Sequence, residues 1–143
     1  MTTVNFYDLP KKEMKAKKIC LLTEIFYNQG NRILIIVNNE EEGRILDNLL
    51  WCFTPESFIP HKISLKLKTD KNQPVLITTK KENRNNSKIL ILGREVDIAF
   101  ILQFDEVVDF AESYDKECLE RSRKRYAYYM RQGLTVNYRK KNP

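Results

Sequence analysis

The chain has 143 residues, 42% of them hydrophobic, which suits one domain with a core of its own. Three widely spaced cysteines, Cys20, Cys52 and Cys118, suggest neither a disulfide-stapled scaffold nor a metal knuckle, and they fit a reduced cytoplasm. Lysine and arginine number 25 against 19 acidic residues, a net +6 that favours polyanions or acidic peptides as partners. No apolar run approaches the roughly 20 residues of a membrane span and no apolar leader opens the chain, so a soluble protein without a membrane partner is expected.

The pattern begins with "TVNFYDL", a short aromatic and β-branched run that reads as a strand. From Glu13 to Asn28 a helix follows, with Ile19, Leu22, Ile25 and Phe26 near a 3.6 period and Gly30 placed for its C-terminal stop. "RILIIV" has the continuous apolar character of a strand covered on both faces. Asn38 or Asn39 can cap the next helix, whose first turn is "EEE" and whose core stripe is Leu46, Leu49, Leu50 and Phe53. "HKISLKLK" alternates and is predicted as a strand with one wet face or an edge position, and "PVLITTK" and "KILILG" are two more strands around a surface loop, "KENRNNS". "VDIAFILQF" fits a short helix or a strand, and "EVVDFA" is the better strand. A long helix runs from about Ser113 to Gln132, Gly133 stops it, and "LTVNY" fits a last short strand. The alternation predicts a single α/β domain over 1–143, a mostly parallel sheet with helices on both faces in three layers.

Such a fold invites a nucleotide, but the turn after the first strand, "YDLPKKE", lacks the glycines that bring backbone amides to phosphate. Asp8 stands at that strand end as a lone carboxylate, better read as a solvated strand end or helix cap. His61 is the sole histidine, and its spacing from Cys52, Glu56 and Ser57 matches no catalytic or metal scheme. It reads as a packed imidazole bonded to backbone. No cofactor or metal is expected.

Two segments stand out. In "LWCFTPESFIPH", Trp51 falls about 100° off the stripe of its helix from Leu50, and Pro55 and Pro60 stiffen a loop carrying Phe58 and Ile59. Rings on a stiff loop make good docking anchors, and they serve equally as cover for a sheet edge. In "KECLERSRKRYAYYMR", Leu119, Ser122, Tyr126, Tyr129 and Met130 share the inward or groove-lining side, with Arg121, Lys124, Arg125 and Tyr128 roughly opposite. Arg123 borders the apolar stripe, where a guanidinium beside aromatic surface can hold a carboxylate next to an apolar side chain. The alternative is direct binding of single-stranded nucleic acid, with cations on phosphates and rings stacking on bases.

Together, "NFYDL", "LWCFTPESFIPH", "EVVDF" and "RSRKRYAYYMRQG" resemble the chi subunit of bacterial DNA polymerase III holoenzyme over nearly the whole chain. The resemblance implies a nucleotide-binding-like fold without its phosphate loop, no intrinsic activity, and a bridging role in DNA replication. One partner would be the psi subunit, which joins the clamp loader. The other would be the acidic C-terminal tail of single-stranded DNA-binding protein, with DNA engaged only indirectly. Trp51 and Phe58 match the family's positions for psi, which also serve a helicase in some bacteria. Arg123 and Tyr126 match its tail-binding positions. The family often has a lysine directly after that tyrosine; here Ala127 takes its place, and Arg121 is the candidate for the upstream cation.

Overall fold

The computed structural model describes residues 1–52, 59–64 and 68–140, with 68 and 69 described by their backbone. In chain order the elements are β1 (Thr3–Asp8), α1 (Lys15–Asn28), β2 (Ile33–Ile36), α2 (Glu40–Cys52), β3 (His61–Ile63), β4 (Val75–Thr78), β5 (Ile89–Leu92), α3 (Ile98–Ile101), β6 (Glu106–Ala111), α4 (Lys116–Arg131) and β7 (Thr135–Arg139). The strands form one sheet in the order β3-β4-β2-β5-β6-β1-β7, and every pairing is parallel.

The apolar strands are buried on both faces because helices cover both. Alternate residues Ile33, Ile35, Val75, Ile77, Ile91 and Val108 pack with Ile19, Leu22 and Phe26 of α1 and Leu46 and Leu50 of α2. Their neighbours Leu34, Ile36, Leu76, Leu90 and Val107 pack with Phe100 and Ile101 of α3 and Tyr129 of α4. Period-two alternation thus divides one continuous apolar run between two cores, giving the three layers expected. Each fully buried side chain such as Phe6 or Leu34 contributes about 1.5–3 kcal/mol.

Local signals set the boundaries. Asn39 Oδ1 accepts from the Glu42 amide at 2.9 Å while Glu42 Oε1 accepts from the Asn38 amide at 2.8 Å, a reciprocal cap at the start of α2. Asp115 caps α4 by accepting from the Cys118 amide at 3.1 Å. Gly133, at φ +86°, supplies the left-handed residue that ends α4 and turns the chain into β7. The ambiguous "VDIAFILQF" contains α3, and β3 and β7 are the two edges.

Some expectations change. Among the described residues "HKISLKLK" is strand over His61–Ile63, and Leu65 and Leu67 lie outside the described residues, as does Phe53. Ile59 belongs to the core, 2% exposed, instead of being displayed on the loop. The "KENRNNS" loop is not wholly a surface feature. Asn85 is fully buried and donates to the Ile33 and Gln73 carbonyls at 3.2 and 3.0 Å, supplying donors where the ladder ends.

Candidate functional site

α4 crosses the sheet with Ser122 and Tyr129 turned fully inward. Ser122 Oγ donates to the Phe110 carbonyl at 3.1 Å and accepts from the Glu112 amide at 3.1 Å, fastening the helix to the end of β6. Along one flank of this buried line, Leu119, Arg123 and Tyr126 join Phe6, Asp8, Ala111, Ser113 and Tyr138 around a pocket of about 300 Å³. Its position follows from topology. β1 and β6 are neighbours, yet α1 packs on one face of the sheet and α4 on the other, leaving a crevice at their carboxyl ends.

The pocket walls are mostly aromatic and aliphatic. Tyr126 packs on Phe6 with ring centroids 5.3 Å apart, and its hydroxyl donates to the Val136 carbonyl at 3.3 Å, which fixes the ring as a wall. Arg123 is exposed and makes no hydrogen bond or ion pair among the described residues. On the β1 side, the Asp8 carboxylate accepts from Ser113 Oγ at 3.0 Å. Partial burial first, and then the charge of the Asp8 carboxylate, push the Tyr138 phenol above the ordinary range. The structure therefore brings Arg123 and Tyr126 together. Arg121 is not part of this wall: it is exposed and donates to Cys118 Sγ at 3.2 Å.

Two residues of α4 face differently from expectation. Met130 is 56% exposed instead of inward. Arg125, expected on the outer side, turns in: Nε donates to Asp109 Oδ2 at 2.9 Å, Nη2 to Asp109 Oδ1 at 3.1 Å, and Nη1 to Glu95 Oε1 at 2.6 Å. Burial alone would lower its pKa, but Asp109 and Glu95 outweigh burial and raise it, so the cation is permanent. The signal for this pair was Asp109 itself, a carboxylate inside a buried strand that requires a partner.

On the far side of the molecule, Trp51 is 52% exposed at the end of α2, its ring 4.6 Å from that of His61. His61 is buried, with Nδ1 2.7 Å from the Ile59 carbonyl and Nε2 3.1 Å from the Asp47 carbonyl. Nε2 also lies 3.1 Å from Asp47 Oδ1, so the imidazole pins the loop end to α2 and gives the indole a firm base. Phe58 lies outside the described residues.

The model of the family described as "DNA polymerase III chi subunit, HolC" matches residues 1–137. The chain belongs to the chi-subunit family of DNA polymerase III. It is 29% identical over 119 residues to DNA polymerase III subunit chi of Escherichia coli (strain K12), covering 83% of this chain and 80% of that one. Identity to the Pseudomonas aeruginosa subunit chi is 27% over 138 residues, covering 95% and 94%. A probable subunit chi of Rickettsia prowazekii is 31% identical over 96 residues, 67% of this chain and 58% of its own length. The chi family names an accessory subunit of the replicative polymerase.

In this chi-family sheet, lysines occupy the ground near the start of α1. Lys15 Nζ donates to the Gly93 carbonyl at 3.1 Å, and the buried Lys18 donates to the Asp8 carbonyl. Burial lowers the Lys18 pKa, opposed by Asp8. Two side-chain ammonium groups thus satisfy strand-end carbonyls where a phosphate loop would present backbone amides. Among the described residues no group of three or more His, Cys, Asp or Glu side chains could hold a metal ion, and no helix is long and apolar enough to cross a membrane.

Proposed function

We propose that this chi-family chain is a non-catalytic bridge with two separate docking surfaces. The α4 pocket takes the C-terminal tail of single-stranded DNA-binding protein, and the Trp51 face, with Phe58, takes psi or, in its place, a helicase. The observation that carries the first surface is Arg123, a guanidinium without an internal partner on the rim of a largely apolar pocket. A peptide end offers a free α-carboxylate for the guanidinium and an apolar side chain for the space beside Tyr126. Arg121, Lys124 and Arg131 on α4 and Arg139 on β7 are exposed, and their summed positive field favours the approach of an acidic segment without forming the pocket.

The second surface is supported by an exposed indole on a rigid base. A ring already held against His61 loses little freedom on docking. Direct binding of naked single strands is the weaker reading, because of the three tyrosines on α4 only Tyr128 is exposed, at 38%. A stacking platform needs successive open rings.

Two-partner binding tests the bridge. The chain is mixed with psi and with a labelled tail peptide, and complexes are resolved by size-exclusion chromatography with Trp51→Ala and Arg123→Ala variants. The expected result is a ternary complex in which each substitution removes one partner and leaves the other. Loss of both partners with either substitution, or of neither, contradicts two independent surfaces.

A further inference from the structure

The same pocket carries a second charge, of opposite sign to Arg123. Asp8 lines it at the carboxyl end of β1, half-buried, with Ser113 Oγ donating to Oδ1 at 3.0 Å and Tyr138 lining the same pocket. The Ser113 bond holds the group at the wall. Ser113 is itself fixed, its amide donating to the Leu9 carbonyl at 3.1 Å. No ion pair joins Asp8 to Arg123 among the described residues, so the two charges stand apart across the apolar space. Asp8 also supports the buried Lys18 ammonium, which bonds to its backbone carbonyl, and on the pocket side the same carboxylate faces the space beside Tyr126, where it discriminates among ligands.

Resting on the reading of this pocket as a receptor for a peptide C-terminus, we propose that Asp8 is a specificity-determining residue. It bars a second carboxylate from the pocket. The α-carboxylate is met at the rim by Arg123, while the terminal side chain enters the space bounded by Phe6, Leu119, Tyr126 and Tyr138 and approaches Asp8. An apolar or aromatic side chain meets only its surroundings. An aspartate or glutamate side chain meets a fixed like charge in a half-dry site, where screening is weak. The acidic residues of the ligand are thereby kept outside, among the exposed cations, and the peptide binds in one register.

The test uses the full chain and two fluorescein-labelled acidic peptides identical except for the last residue, one ending in phenylalanine and one in glutamate. Anisotropy titrations are run on wild type and Asp8→Asn, an isosteric change that removes the charge and keeps one acceptor oxygen for Ser113 Oγ. The glutamate peptide is expected to tighten by about tenfold or more relative to the phenylalanine peptide, whose retained binding reports a folded pocket. Equal changes for both peptides, or an unchanged ratio, overturn the role of Asp8 and leave the pocket reading standing. Failure of wild type to bind either peptide overturns both.

Discussion

Arg125 on α4 grips Asp109 on β6 through both carboxylate oxygens, at 2.9 and 3.1 Å, beneath the helix that carries the pocket. Asp109 Oδ2 also accepts from the Tyr129 hydroxyl at 3.3 Å, and Oδ1 from the Phe110 amide at 2.7 Å, so its lone pairs are occupied. The clamp fixes the roll of α4 and hence the side to which Arg123 and Tyr126 point. Arg125→Ala leaves a carboxylate that is 4% exposed without its cation and is expected to cost about 3–5 kcal/mol in urea unfolding. Arg125→Lys recovers part of that, since an ammonium cannot form the planar fork. A loss under about 1 kcal/mol for the alanine variant would contradict the clamp.

A second buried carboxylate makes stability depend on acid. Asp70, fully buried, accepts from Ser64 Oγ at 2.7 Å and Arg84 Nε at 3.1 Å and lies 3.2 Å from Lys62 Nζ. Burial pushes its pKa up, but these donors outweigh burial and hold it below the ordinary value of 3.8. Because the folded value is the lower one, this stabilisation is complete above 3.8 and is lost as pH falls through the folded value. Unfolding free energy measured from pH 5 downwards should fall less steeply in Asp70→Asn than in wild type. Equal slopes would remove Asp70 from the account.

Gly93 is a packing requirement. A Cβ there would lie 2.5 Å from the Ile36 carbonyl oxygen and 3.1 Å from Val37 Cγ1, beside the hydrogen bond of 2.7 Å that the Gly93 amide donates to Ile36. Gly93→Ala should cost at least about 1–3 kcal/mol, seen as a lowered Tm. An unchanged Tm would show that β2 and β5 can separate freely.

The thiols should react in an order set by exposure. Cys52 is exposed, Cys118 intermediate and Cys20 buried, with burial pushing the Cys20 thiol up to about 12. A disulfide reagent at neutral pH should modify Cys52 first and Cys20 only after unfolding. Prompt modification of all three in the native state would contradict the packing of α1.

Much of the fold was legible because "RILIIV", "PVLIT" and "KILIL" are apolar at every position, as strands beneath two helical layers must be. The absent phosphate loop was legible too, since glycines show directly in a sequence. The exact lie of α4 was not. Counting apolar residues placed Met130 inward and Arg125 outward, whereas the buried line is set by the polar residues Ser122 and Arg125 bonding to the end of β6. Period analysis weights hydrophobicity and cannot see a partner on another strand. The same blindness hid Asn85, which is buried because it supplies donors to strand-end carbonyls. Arg123 and Tyr126 were legible as neighbours because helical spacing is local, but Asp8 and Tyr138 reach them only through the parallel pairing of β1 with β7.

The central claim is that Arg123 and its pocket receive a peptide C-terminus. Its most direct test is fluorescence anisotropy with a labelled tail peptide of single-stranded DNA-binding protein, using wild type, Arg123→Ala and a peptide lacking its last residue. The account predicts micromolar binding by wild type, weakened about tenfold or more both by the substitution and by the truncation, since each removes one side of a charge-assisted contact. Equal binding in all three titrations, or tight binding to bare single-stranded DNA with none to the peptide, would contradict it.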